Sequence, residues 1–178
     1  GMNVYFKRVL NPNIGNDDIW VVRIDQYGDI IWEKCFGGFN DEFAERIFQT
    51  EDKGFIVFGI THSNNGDVSG NHSVMKENPS IWVFKIDSVG QLIWQQCFGG
   101  LSTERVSFGV LQKSDDNYII AGEMRYGPSF DVGCSSHSNH LDFWVFEIQD
   151  TTVGINENTQ LLNIKVYPNP ANTILNID

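Results

Sequence analysis

The densest run of metal-ligand side chains is Cys134-Ser135-Ser136-His137-Ser138-Asn139-His140, with Asp131 and Asp142 close by. A thiolate and two imidazoles are ligand types that zinc accepts, four at a time in a tetrahedron. A single C-x2-H-x2-H run in a loop is a weak signal, and ordinary loop residues are the plainer reading. Cys134, His137 and His140 therefore stand as the metal candidates, while no metal ion is expected. Asn64-Asn65-Gly66-Asp67 offers oxygen ligands for calcium but lacks the dense acidic spacing and closing Glu of a calcium loop, so an Asx turn is expected there.

Other reactive side chains point the same way. The pairs Asp17-Asp18, Asp41-Glu42 and Asp115-Asp116 are placed in turns, where solvated acids are the rule. No nucleophile elbow, H-E-x-x-H motif, phosphate loop or dinucleotide fingerprint is present. No catalytic residue and no cofactor is expected. Trp20, Trp82 and Trp144 occupy one recurring place, and Trp32 and Trp94 another. Exposed, such rings would stack on sugars; periodic placement favours packing inside and between repeats. Cys35 and Cys97 recur in the same way on a face shared with Ile31 and Ile93, which predicts reduced, partly buried thiols. Equivalent places on neighbouring repeats lie beyond the ~7 Å reach of a disulfide.

The elements that must position these residues follow from a repeat. Ile19 to Gly38 returns at Ile81 to Gly100 with 12 of 20 residues identical, and Phe143-Trp144-Val145-Phe146-Glu147-Ile148 opens a third copy, each 62 residues on. Gly54-Phe55-Ile56-Val57-Phe58-Gly59 answers Asn117-Tyr118-Ile119-Ile120-Ala121-Gly122. Such a period marks a stacked or radial repeat architecture. Residues 19–25 are apolar on both faces, as a central strand requires. Asp25-Gln26-Tyr27-Gly28 makes a three-residue hairpin loop with Gly at its left-handed position, and a second strand follows at 29–36. Strands at 45–51 and 55–61 complete the unit; the second unit has 81–87, 91–98, 106–112 and 117–123.

The expected fold is all-β, with β-propeller-like blades of four antiparallel strands on a 62-residue repeat. The domain reading is a repeat region over 1–150, with units at about 19–80 and 81–142 and a partial third from 143. A linker at 151–162 and a tail at 163–178 follow. Two complete blades do not close a ring, since propellers typically carry about 4–8. The lone strands Val4–Val9 and 143–149 are expected to supply parts of a further blade; paired across two copies, three blades per chain would make a six-bladed homodimer, the alternative being a piece of a longer propeller.

Composition narrows the partners. A net charge of −11 repels phosphate backbones and anionic lipid surfaces, which argues against nucleic acid. No stretch approaches the ~18–20 apolar residues of a membrane span, so no membrane insertion is expected. Gly1 ahead of Met2 reads as a residue left by tag cleavage, and the absence of an apolar leader after it decides nothing about export.

The phrases Ile19-Trp20-Val21-Val22-Arg23-Ile24-Asp25, Ile31-Trp32-Glu33-Lys34-Cys35-Phe36-Gly37-Gly38 and Asn65-Gly66-Asp67-Val68-Ser69-Gly70-Asn71-His72 resemble the Trp-containing repeats of secreted Bacteroidetes propeller-like proteins. The resemblance covers about residues 17–148 and implies a fold and a location more than an activity. Val166-Tyr167-Pro168-Asn169-Pro170, within 163–178, is similar to the opening of the C-terminal sorting domain of type IX secretion substrates, truncated here after its first strands. The two together imply a secreted or outer-cell-surface protein. The expected role is a non-catalytic module presenting a rim to carbohydrate or protein. The alternatives are a structural or assembly repeat and, third, a cryptic hydrolase or metalloenzyme using the His-bearing rim.

Overall fold

Two aspartates of the repeat, Asp25 and Asp87, build the same turn. Asp25 Oδ1 accepts from the amides of Tyr27 (2.8 Å) and Asp29 (2.9 Å), and Asp87 Oδ1 from those of Val89 (2.9 Å) and Gln91 (2.8 Å). The Asp25 amide donates to Asp29 O and the Asp87 amide to Gln91 O, each at 2.9 Å. Gly28 (φ 93°) and Gly90 (φ 78°) take the left-handed position, as the three-residue hairpin loop demands. The register slips beside both turns, between Arg23 and Ile24 and between Lys85 and Ile86.

The computed structural model describes residues 3–10, 17–72, 79–101, 109–124, 130–131, 142–150 and 162–166, with backbone alone for 3–4, 6–10, 124, 142 and 162–166. Cys134, His137 and His140 lie outside the described residues. All described elements are strands: β1 Asn3–Leu10, β2 Asp17–Ile24, β3 Ile30–Phe36, β4 Glu42–Gln49, β5 Phe55–Thr61, β6 Ser80–Ile86, β7 Leu92–Phe98, β8 Gly109–Ser114, β9 Asn117–Met124, β10 Asp142–Asp150 and β11 Leu162–Val166. The chain is all-β, in three open antiparallel sheets ordered β1-β2-β3, β4-β5-β6-β7 and β11-β10-β9-β8.

The grouping of strands departs from the sequence reading. A four-stranded sheet joins the second half of one unit to the first half of the next, rather than gathering 19–61 into one blade. The connector 37–41 changes sheet, and the longer segment 62–79 links the neighbouring strands β5 and β6. β1 lies on β2, and β10 lies between β9 and β11.

The chain forms two compact units, Gly1–His72 with Pro79–Phe98, and Ser73–Asn78 with Gly99–Asp178. In the first, the β1-β2-β3 sheet lays Ile19, Val21 and Phe36 against Phe55, Val57, Trp82, Phe84, Ile86 and Cys97 of the β4-β5-β6-β7 sheet. Phe36 meets Phe84 at 5.0 Å between ring centroids, and Trp82 meets Phe84 at 4.4 Å. Fully burying such side chains stabilises by about 1.5–3 kcal/mol each, which makes this interface the main source of cohesion in the unit. In the second unit Tyr118, Ile120, Trp144, Phe146 and Ile148 share one face of its sheet and are all fully buried.

Candidate functional site

The end of the first unit that carries the connector 37–41 and the loop following β5 holds the most organised polar structure among the described residues. Gly37 and Asp67 clasp each other. The Asp67 amide donates to Gly37 O (3.0 Å), and the Gly37 amide donates to Asp67 Oδ2 (3.2 Å). The Phe39 amide donates to Asn65 Oδ1 (2.8 Å) and the Asn40 amide to Ser63 Oγ (2.8 Å). Asn40 Nδ2 donates to His62 O (2.9 Å), and the His62 amide returns a bond to Asp41 O (3.0 Å). The loop runs so close to the connector that a Cβ on Gly66 would sit 2.5 Å from Gly37 O; Gly66 is also left-handed, at φ 66°.

Beneath the clasp, Glu42 is fully buried. Its Oε1 accepts from the Thr61 hydroxyl (2.6 Å) and its Oε2 from the Gly38 amide (2.8 Å). Burial pushes its pKa above the ordinary carboxylate range. Bonds from Thr61, Gly38 and Ser63 pull it back in part, and the charge of Asp18 adds to the rise. Farther along the loop, Val68 enters the core, and Asn71 ties the loop to β6: its Nδ2 donates to Ser63 O (2.8 Å) and its Oδ1 accepts from Ser80 Oγ (2.8 Å).

The second unit repeats the clasp. The Asp131 amide donates to Gly99 O (3.4 Å), and the Gly99 amide donates to Asp131 Oδ2 (3.2 Å). Phe130 stands where Gly66 does and is likewise left-handed, at φ 49°. A phenylalanine held in that conformation is strained by about 1–2 kcal/mol, so the clasp imposes its backbone on an unsuited residue.

These positions correct two expectations, for the acidic pairs and for Cys35. Asp17, Asp18 and Glu42 are buried rather than solvated, and they lie in strands; the turn reading fits only Asp115 and Asp116. In Asn64-Asn65-Gly66-Asp67, Asn65 and Asp67 direct side-chain oxygens at backbone amides, as an Asx-type loop does. Among the described residues, no three His, Cys, Asp or Glu side chains gather where a metal ion would sit. Cys35 and Cys97 are both thiols outside any disulfide, but unequally placed: Cys35 is exposed and Cys97 only 2% exposed. Partial burial, then the charges of Asp18 and Glu33, push the Cys35 pKa up, which keeps it a thiol at neutral pH.

The tryptophans divide as well. Trp82 and Trp144 are fully buried and Trp94 nearly so, while Trp32 packs at the margin of the core. Trp20 borders an open hollow of about 590 Å³ with Glu33, Lys34 and Cys35. Its Nε1 donates to Glu33 Oε2 (3.1 Å), as Trp82 Nε1 donates to Gln95 Oε1 (2.9 Å) one period later.

On the surface of the clasped end Phe39 is 64% exposed, with Asn64 also exposed, and its counterpart Leu101 in the second unit is 45% exposed. Sequence reasoning singled out the histidines of these loops and passed over Phe39. The available signal was its place directly after Gly37-Gly38, answered by Leu101 after Gly99-Gly100. No family model matches the chain, and no curated protein matches it.

Proposed function

We propose that the chain is a non-catalytic module of β-propeller type, secreted or held at the outer cell surface, whose clasped loops form a rim for carbohydrate or protein. The single observation that carries the reading is the clasp itself. The same reciprocal pair of bonds, Gly37 with Asp67 and Gly99 with Asp131, anchors a long loop in each unit. Fixed loop bases with free side chains beyond them are how scaffolds present recognition surfaces. Antiparallel meanders of three and four strands on a 62-residue period, the first two packed face to face within one unit, support the propeller reading. The resemblance of the tail around Val166-Tyr167-Pro168-Asn169-Pro170 to a sorting domain supports the location.

Carbohydrate is the first partner to test, because Phe39 offers an exposed ring on a backbone that Asn65 holds in place. The test is a glycan array and a panel of extracellular proteins, each probed with the intact chain and with Phe39→Ala. At least tenfold weaker binding is expected for the variant, with an unfolding midpoint within about 0.5 kcal/mol of the parent. Blank results on both panels, or binding indifferent to Phe39, would sink the rim reading. A structural or assembly role is the second reading, favoured by sheet faces that remain uncovered.

A further inference from the structure

The first unit shows how one face of this repeat packs on another. The β1-β2-β3 sheet presents an Ile/Val face, Ile19, Val21 and Phe36, to a Trp/Phe/Cys face of the next sheet, Val57, Trp82, Phe84 and Cys97. Contacts at one end lock the pair. Arg23 lies 5.9 Å from the centre of the Phe55 ring, and Trp32 Nε1 donates to Ser88 O (3.1 Å). Trp32 also covers Gly90 so tightly that a Cβ there would stand 3.1 Å from the ring.

Shifting by whole repeats shows which halves of this contact stay bare. The β1-β2-β3 sheet has a Trp-type face of its own on its other side, where Tyr5, Trp20, Val22 and Cys35 replace Val57, Trp82, Phe84 and Cys97. Tyr5 is 55% exposed where Val57 is 0%. Cys35 is exposed where Cys97 is buried, and Gly28 has nothing within 4 Å where Gly90 is covered. The hollow beside Trp20 lies on this face. The sheet of the second unit carries the opposite half, with Phe143 and Val145 two periods after Ile19 and Val21. Phe143 is 70% exposed where Ile19 is 0%, and Leu111 on the same face is 63% exposed.

We propose that the Phe143 face of one copy docks on the Tyr5–Trp20–Cys35 face of a second copy, repeating between chains the packing that Ile19 and Val21 make inside the first unit. A second copy is the fitting occupant because the two bare faces are the unlike halves of a contact this sequence already makes. Each copy has one of each, so the contact is head to tail and two copies can satisfy both. The proposal is independent of what the rim binds.

Light scattering on the intact chain at micromolar concentration tests it. The expected mass is about twice 20.2 kDa. Tyr5→Glu and Phe143→Glu each place a charge on one bare face, at side chains already exposed in the single chain, and each should weaken assembly at least tenfold. Unchanged unfolding midpoints would show that both variants fold. Mixing the two variants should restore a pair, because one native contact survives between them. Three results would overturn the proposal: a monomeric parent chain, assembly indifferent to both substitutions, or assembly sensitive to Tyr5→Glu alone, which would mean like faces meet.

Discussion

Replacing Glu42 by glutamine and by alanine separates its charge from its hydrogen bonds. The carboxylate is fully buried, with the Thr61 hydroxyl on Oε1 at 2.6 Å and the Gly38 amide on Oε2 at 2.8 Å. Alanine leaves both donors buried without an acceptor. At roughly 1–3 kcal/mol for each, the loss should total about 3 kcal/mol. In a chain of this size that lowers the melting temperature by about 6–12 °C. Glutamine keeps the shape. Its amide oxygen can accept from Gly38, and its NH2 can donate to Thr61 Oγ1, which already accepts from the Ser63 amide (2.9 Å). The cost should stay within about 1 kcal/mol. The pH dependence supplies a second readout. Burial raises the native pKa of Glu42, so the native state holds this proton more tightly than the unfolded chain does. The stability it contributes is complete below its unfolded pKa and is lost as pH rises through the raised native value. Glu42→Gln lacks that loss, so parent minus variant should shrink as pH rises from the ordinary glutamate pKa through the raised native one. Urea unfolding followed by tryptophan fluorescence measures both quantities. A glutamine variant as damaged as the alanine one, or a difference that does not change with pH, would refute the reasoning.

Lys85 is 2% exposed and its Nζ lies 2.9 Å from Asp52 Oδ2, itself 39% exposed. Burial opposes the charge on Asp52, but bonds from Lys85, Thr50 and Gly54 outweigh it and hold its pKa low. Stability from this group is present above its unfolded pKa and lost as pH falls through the native one. Asp52→Asn should therefore cost about 1–2 kcal/mol at neutral pH, less than a fully buried pair because solvent screens Asp52. A urea titration in acid should find the difference gone. Lys53 takes a left-handed conformation at φ 64°, so Lys53→Gly should raise stability by roughly 0.5–1 kcal/mol, read as a higher denaturant midpoint at unchanged slope.

Much of the strand layout was legible because its determinants are local. The Asp-x-x-Gly turns at 25–28 and 87–90 name their own geometry, since only a residue at ease at positive φ closes that loop. The apolar runs at 55–60 and 81–86, now β5 and β6, are buried on both faces, as continuous hydrophobic strands should be. The turn at 50–54 was harder to read. Its left-handed residue is Lys53, while Gly54 is required because a Cβ there would fall 2.5 Å from Ile86 O. That constraint comes from a strand distant in sequence, and no local pattern announces it. The buried acids were missed for a related reason. Asp18 and Glu42 look like surface carboxylates until the connector 37–41 is folded over them, where the Gly38 amide needs an acceptor.

The phase of the repeat was the larger difficulty, because a period has no beginning. Segment length is the usual guide: short connections suggest hairpins and long ones suggest a change of sheet. Here the short connector 37–41 changes sheet, and the long segment 62–79 stays between paired strands. The glycines explain the inversion. Gly37 and Gly38 let the chain pass close under the loop, where a Cβ on Gly37 would sit 2.4 Å from Asp18 Oδ1 and one on Gly38 2.5 Å from the Ser63 Cβ. The loop is long because it must reach back over that crossing and clasp it through Asp67. Read in this phase, the clasp and the bare faces have a common origin. The crossing at 37–41 hands the chain to a sheet that packs on the one before, and the clasp fixes the crossing. The Trp-type face of the first sheet leaves Tyr5 exposed, and Phe143 in the second unit is exposed on the opposite kind of face. The same substitution should therefore act differently by position: a charge at Tyr5 should change assembly, whereas one at its buried counterpart Val57 should unfold the unit.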